Sequence, residues 1–335
     1  MPLEIRSMTR PAIALALGML LLAGCVASHS ALLPSQQSNA MAGGLQKHDL
    51  LYVTNESGTV SVYRYWQHTL AFILTDFKKP MGACADRSGH VYVTDYGRQK
   101  IYEYAHGGRK PIATLDDSPY KPFTCSVSPP NGDLAVANSP YGTYGTGGNI
   151  AIYPHAGGKP IILTGSGGSD GTHFTGCAYD DHGDLLAMNQ YRYDPFWYSG
   201  FYYLPKNGTK LLPMSLPGMG YGSSHFGVVQ GVAWDGKYWL VGPSYNYIIL
   251  YTIDVKASEV GTLKLNNGQP PFFGPAAIYR KALKSQGTQL VAGTGSYGSG
   301  TVDFFKYPAA GGPIAQISKD LDAPFGVAIS LRTQP

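Results

Sequence analysis

Charge is scarce in this chain of 335 residues: only 14% are Asp, Glu, Lys or Arg. The two signs nearly cancel, 25 basic against 21 acidic, so the chain lacks the strongly basic character that nucleic-acid binding uses. No apolar stretch is long enough to span a bilayer, which takes about 20 residues; Pro11–Leu22 falls short. No His-Glu-x-x-His and no P-loop occurs, so zinc peptidase and phosphate-cradling chemistries have no motif to rest on. Glycine (43), proline (24) and tyrosine (25) are what the chain has in quantity. Such a composition is rich in turns and poor in helical surface.

The N-terminus is ordered as an export signal: Arg6 and Arg10, then the apolar stretch Pro11–Leu22, then small residues ending at Cys25. A second start at Met8 makes the same signal more compact. The terminal Leu22-Ala23-Gly24-Cys25 resembles the lipobox of bacterial lipoproteins. The resemblance implies cleavage after residue 24 and acylation of Cys25, with the membrane engaged through that lipid. Val26 stands where an inner-membrane lipoprotein often carries aspartate. This implies an outer-membrane protein of the bacterial cell envelope, facing the periplasm or the cell surface. Residues 25–48 are polar and aperiodic and read as lipidated cysteine plus flexible tether. After cleavage about 311 residues remain, with 23 basic and 20 acidic groups. Three cysteines are left besides Cys25, namely Cys84, Cys125 and Cys177. An odd number cannot all pair within one chain. Each sits in an apolar strand pattern, where a small buried thiol is the plain expectation; one disulfide stays open.

From Leu50 the chain repeats itself at a spacing of 42 to 55 residues. The clearest unit is Pro80-Met-Gly-Ala-Cys-Ala-Asp86-Arg-Ser-Gly-His-Val-Tyr-Val-Thr-Asp95, followed by Ile101–Tyr104, Gly107-Gly108 and Pro111–Leu115. It reads as four short strands bounded by Gly, Asp, Asn and Pro. Further units open at Pro122, Phe174, Gly231 and near Pro275. Leu51–Asn55 looks like a second strand lacking a first, and Pro324–Ser330 like a first strand lacking a second. Joining them predicts an all-β, six-bladed propeller of four-stranded blades over residues 49–331, closed by the C-terminal strand and monomeric. The phrase Pro-x-Gly … Asp-x-x-Gly … Val-Tyr-Val-Thr-Asp resembles NHL-repeat and SMP-30-like six-bladed propellers.

The two faces of such a ring differ. One carries tight turns: Arg87-Ser-Gly, Pro130-Asn-Gly, Asp181-His-Gly, Gly107-Gly108, Gly157-Gly158 and Gly311-Gly312. His90, His106, His155 and His182 fall in these turns and read as surface residues. The other face carries the long segments 139–149, 165–173, 190–200, 215–227, 266–274 and 294–300, where function usually sits. It is rich in Tyr141, Tyr144, Tyr191, Tyr193, Phe196, Trp197, Tyr198, Tyr221, Tyr245, Tyr247 and Tyr297. Large rings with a polar tip suit a glycan, a peptide or a partner protein; packing of Gly-rich loops uses the same rings. His173 and His225, with Asp170 nearby, supply nitrogen and oxygen donors for a divalent metal at the channel mouth. Asn55, Asp95, Asn138 and Asn189 recur at the ends of second strands, which points to turn-capping.

Two functions compete. One is a binding module without catalytic activity or cofactor, working through the aromatic face. The other, implied by the SMP-30 resemblance, is a metal-dependent lactonase, hydrolase or lyase. In that family an acidic or amide residue in the middle of the Pro-x-Gly phrase holds the metal. Here those positions are Met81, Phe123, Thr175, Gln230, Gly274 and Phe325, a poor set for an oxygen-rich site. The binding module is the stronger expectation.

Overall fold

The structure is a computed structural model. It describes residues 44–140, 147–165, 173–193, 196–219, 229–243, 247–266, 276–279, 287–296, 299–309 and 311–332. The strands fall into six antiparallel sheets of four. Blade 1 holds β1 (Leu50–Asn55), β2 (Thr59–Arg64) and β3 (Thr69–Leu74). Blade 2 is β4 (Pro80–Ala85), β5 (Val91–Asp95), β6 (Lys100–Tyr104) and β7 (Ala113–Asp116). Blade 3 is β8 (Pro122–Val127), β9 (Leu134–Asn138), β10 (Asn149–Tyr153) and β11 (Ile161–Leu163). Blade 4 is β12 (His173–Tyr179), β13 (Leu185–Tyr193), β14 (Phe196–Leu204) and β15 (Leu212–Met214). Blade 5 is β16 (Val229–Trp234), β17 (Trp239–Pro243), β18 (Tyr247–Ile253) and β19 (Ala257–Lys264). Blade 6 is β20 (Ala277–Tyr279), β21 (Thr288–Ser296), β22 (Ser299–Tyr307) and β23 (Ala315–Ile317). The last strand, β24 (Pro324–Ser330), returns to pair with β1 and completes blade 1 in the order β24-β1-β2-β3. The protein is a six-bladed β-propeller closed by its C-terminal strand, as the half-units at the two ends predict.

Burial follows from this stacking. The middle strands lie between neighbouring blades and are covered on both faces: every residue of β1, β5, β9 and β10 is buried. That is why their sequences are near-continuous apolar runs rather than alternating ones. The outermost strands keep one face in water, as the alternating exposure of β7 shows.

The Pro-x-Gly phrase places glycine where neighbouring blades almost touch. A Cβ on Gly82 would lie 2.6 Å from the Phe123 carbonyl oxygen, and one on Gly326 would lie 2.5 Å from that of Met81. Beside each glycine a second-strand threonine clamps the next blade. Thr54 Oγ1 accepts from Gly326 N at 2.8 Å and donates to the Met81 carbonyl at 2.6 Å. Thr94 Oγ1 accepts from Gly82 N at 2.8 Å and donates to the Phe123 carbonyl at 3.1 Å.

The residues that end second strands organise turns. Asp95 accepts backbone N–H groups from Lys78, Lys79, Gly97 and Arg98 at 2.9 to 3.2 Å. Asn55 Nδ2 donates to Thr59 and Ser61, and its Oδ1 accepts from Asp322 N. Asn138 Nδ2 donates to Asn149 Oδ1 at 2.9 Å.

Four expectations are corrected. Cys84 and Cys125 form a disulfide across the innermost strands of blades 2 and 3, with Cα atoms 5.6 Å apart; only Cys177 is a free, buried thiol among the described residues. Segments 190–200 and 294–300 are not long loops. They belong to hairpins of nine-residue strands, β13–β14 and β21–β22, that run past the ends of the other blades. His106 is not a surface residue. It is buried, with Nδ1 2.7 Å from Ser330 Oγ and Nε2 3.0 Å from the His48 carbonyl. Residues 44–48 are not all free tether: Leu45 is buried in the core of blades 1 and 2, and Gln46 donates to the His106 carbonyl at 2.9 Å.

One buried carboxyl makes stability depend on pH. Asp117 is 1% exposed and accepts the Tyr153 hydroxyl at 2.6 Å. Burial pushes its pKa up to about 7. Above pH 4 the unfolded chain has released this proton while the native state keeps it. Stability therefore falls as pH rises from about 4 to about 7. Between pH 5 and pH 8 the loss at this residue is about 3 kcal/mol. Urea unfolding at both pH values should show Asp117→Asn losing less stability than the wild type over that interval. Equal losses would mean that Asp117 is ionised in the native state.

Candidate functional site

The two ends of the propeller axis differ. At the long-loop end the middle residues of the Pro-x-Gly phrases converge. Phe123 and Phe325 meet edge-to-face with centroids 5.2 Å apart, and Met81 is buried in the same ring of innermost strands. Tyr96 packs on Phe123 at 6.5 Å and lies near two ammonium groups, Lys121 at 4.9 Å and Lys79 at 5.8 Å from its centroid. Thr175 is buried with no partner for its hydroxyl. Gln230 lies in β16 with its side chain outside the description, and Gly274 lies outside the described residues. The described members of this set offer one hydroxyl and otherwise apolar groups.

At the tight-turn end the axis opens into a cavity of about 410 Å³. Small side chains of the innermost strands leave this room: Ala83, Ala85, Ala178, Ala233, Ala277 and Ala328. The disulfide and Cys177 lie in its wall, and Arg87 and Trp234 stand at its rim. Arg87 is held there by Asp181 at 3.4 Å, which also accepts from the Trp234 indole at 3.0 Å. Sequence reasoning did not single out this cavity. Its signal is the run of Ala, Cys, Ser and Val in every first strand, from Gly82-Ala-Cys-Ala85 to Gly326-Val-Ala-Ile329.

The aromatic residues of the long-loop face divide. The β13–β14 hairpin pairs Tyr191 with Tyr198, Arg192 with Trp197 and Tyr193 with Phe196. Tyr191 and Tyr198 stack across the strands, with centroids 5.6 Å apart and planes at 21°. Tyr191 is 40% exposed, while Tyr198 is half-buried. Directly opposed aromatic rings stabilise a hairpin and present one continuous apolar surface. Tyr247 packs instead on the core between β-strands of blades 4 and 5. Tyr141, Tyr144, Tyr221, Tyr245 and Tyr297, and the side chains of Tyr193, Phe196 and Trp197, lie outside the described residues.

Only one member of the histidine pair lies within the described residues. His173 opens β12 and is buried, with Nδ1 3.4 Å from Ser139 Oγ. Burial holds its pKa below the usual imidazole value, so the ring is neutral at physiological pH. His225, Asp170 and Cys25 lie outside the described residues. No cluster of three or more His, Cys, Asp or Glu with metal-binding geometry occurs among the described residues. The run Gly167-Gly-Ser-Asp-Gly171 spells Gly-x-Ser-x-Gly. A nucleophile elbow needs a helix after that serine; residues 166–172 lie outside the described residues, and the next described element is the strand β12.

No family model and no curated protein matches the sequence. Solved structures do match in shape. A chain of a nidogen/laminin complex superposes with a TM-score of 0.62 at 14% identity, covering 85% of this chain and all of that one. A chain of Kuenenia stuttgartiensis hydrazine synthase gives 0.57 at 15%, covering 78% and 81%. A protein of unknown function from Bacteroides caccae gives 0.59 at 13%, covering 84% and 99%. At such identities the likeness is one of fold, and the fold is the β-propeller.

Proposed function

We propose that this protein is a lipid-anchored, extracytoplasmic binding module that takes its ligand on the long-loop face. The observation that carries this reading is the projecting β13–β14 hairpin with its stacked, half-exposed Tyr191–Tyr198 pair. A flat aromatic surface of this kind binds sugar rings or the aromatic and proline side chains of a peptide at low entropic cost. The lysines around Tyr96 add positive charge beside the apolar channel mouth, which favours an acidic ligand. A disulfide suits an oxidising compartment and so supports the export signal read from residues 1–25. Among structural neighbours, one comes from a nidogen/laminin complex and another from an enzyme, so the fold alone does not choose between binding and catalysis. The metal-dependent alternative gains no support from Met81, Phe123 and Phe325, which provide no oxygen donor.

The test is a glycan and peptide binding screen with the detergent-solubilised full chain. Wild-type protein should retain a ligand that Tyr191→Ala binds at least tenfold more weakly, the usual cost of losing an aromatic anchor. Lys159→Ala, on the opposite face, should bind as the wild type does. A ligand retained equally by Tyr191→Ala would sink the aromatic-face assignment.

A further inference from the structure

The topology puts both chain ends on one face. β1 is a second strand and starts at the tight-turn end of blade 1; β24 is a first strand and finishes there, with Leu50 paired to Ser330. The flanking residues stay on that face. Arg332 N donates to Asp49 Oδ1 at 2.8 Å. Leu45 lies against the β6–β7 turn, its Cβ 3.3 Å from where a side chain on Gly107 would begin. The polypeptide that precedes Leu45, and with it Cys25, therefore joins the propeller at the tight-turn face, opposite the aromatic hairpin.

The perimeter of that face is apolar and basic. The connections between third and fourth strands repeat one arrangement, a cation followed by an exposed aliphatic side chain: Lys110 with Ile112, Lys159 with Ile161, Lys210 with Leu212. Ile112 and Ile161 are 56% and 55% exposed, and Ile314 of blade 6 is 54% exposed. In blade 5 the turn tip is Val255, 86% exposed, beside Lys256. Asp254 is the one carboxylate in these connections. The carboxylates nearer the axis are occupied by turn amides, as Asp180 is by the N–H groups of His182, Gly183 and Asp184. Aliphatic tips interspersed with lysines are what an anionic lipid surface takes up, the tips entering the headgroup region and the ammonium groups meeting phosphates.

We infer that the tight-turn face is the membrane-facing surface of the protein and lies on anionic phospholipid. The inference rests on the lipid-anchor reading for its setting. Only about 20 residues separate Cys25 from Leu45, so an anchored propeller meets the bilayer at high effective concentration. Individually weak contacts then suffice. The aromatic hairpin and the channel mouth of Phe123 and Phe325 point away from the membrane, toward ligand.

The test uses the full chain, purified from membranes and reconstituted into vesicles that carry a lipid-borne quencher. An environment-sensitive fluorophore is placed at Thr209→Cys in the β14–β15 turn, or at Thr262→Cys near the long-loop end of β19. On phosphatidylglycerol vesicles the probe at 209 should be quenched and the probe at 262 should not. High salt, neutral phosphatidylcholine, or the triple change Lys110→Glu, Lys159→Glu and Lys210→Glu should each reduce the quenching at 209 by about threefold or more. Equal quenching at both sites, stronger quenching at 262, or indifference to salt and charge would overturn the inference. So would a probe at 209 that is shielded in detergent without vesicles, which would mark a contact between protein copies. Incorporation of labelled palmitate is followed in parallel. Its absence would sink the lipid anchor, while the contrast between 209 and 262 would still decide which face meets the bilayer.

Discussion

Deleting residues 324–335 should abolish the folded propeller, whereas deleting residues 333–335 should leave it intact. β24 is the innermost strand of blade 1, paired with β1 from Leu50↔Ser330 to Asn55↔Pro324. Without it β1 becomes an open edge whose residues are all apolar or hydrogen-bonded inward, and such an edge aggregates. Two cores lose a wall at once: Val327 packs with Val53, Tyr63 and Phe304, and Ala328 packs with Leu50, Tyr52 and Val93. The Thr54 clamp loses both the N–H and the C=O of Gly326. Native proteins are stable by only about 5–15 kcal/mol. Removing a strand that belongs to two cores exceeds that margin. Circular dichroism and gel filtration of the truncated chain should show no cooperative melting and no monodisperse species. Adjacent chain ends provide the rescue. A circular permutant that joins residue 332 to residue 47 through a short turn, opening the chain in another loop, should restore the melt, because Leu50 and Ser330 already sit as the ends of a hairpin. A soluble, cooperatively melting truncation would show that blade 1 stands with three strands.

Reducing the Cys84–Cys125 disulfide should lower stability by about 4 kcal/mol and the melting temperature by about 8 °C. The bridge closes a loop of 41 residues, which sets the entropic part of that figure. It also joins strands of different blades, β4 and β8, and no backbone ladder connects those strands. The bridge therefore stiffens the seam between blades, beside side-chain packing and the hydrogen bond from Thr94 to the Phe123 carbonyl. Thermal melts of the wild type with and without reductant, beside Cys84→Ala/Cys125→Ala, supply the measurement. The double variant should match the reduced wild type and ignore reductant, and Cys177→Ala should respond to reductant as the wild type does. Melts that coincide in all states would mean that the pair contributes nothing in solution. Cys177 is no rival in exchange. Burial pushes its pKa up to about 12, so it carries almost no thiolate at neutral pH.

The fold was legible because it is written in repeats. Pro-x-Gly, the Asp/Asn turns and the Gly-Gly turns recur at blade spacing, and the half-units at Leu51 and Pro324 can be satisfied only by each other. What escaped were features that depend on the distance between repeats. Cys84 falls one position later in its repeat than Cys125 does in its own, but three cysteines offer three pairings and the sequence does not say which blades are tightest. His106 reads as a turn residue; it is buried because residues 44–48 fold over it from outside the repeat. The Tyr191–Tyr198 segment contains Asp194-Pro195, a turn signal that suggests a loop, and the strands on each side simply continue to that turn. The aromatic face was legible as chemistry, but the separation of exposed Tyr191 from packed Tyr247 needed the blades in place. The cavity at the other end was missed because small residues in first strands look like strand filler until six of them surround an axis.

Closure by the last strand also sets an order in time. The hydrogen bond from Gly326 N to Thr54 spans 272 positions, so β1, the first strand of the chain, must wait for nearly the whole polypeptide to emerge before its partner exists. Long-range pairings of this kind form slowly and leave incomplete species exposed. Blades 2 to 6 can assemble as their own segments appear, while blade 1 stays unfinished until the end. A chain interrupted anywhere before Pro324 therefore presents the open edge of β1 to chaperones and proteases. The ring thus certifies its own closure: only a product that reaches the end of β24 can hide that strand.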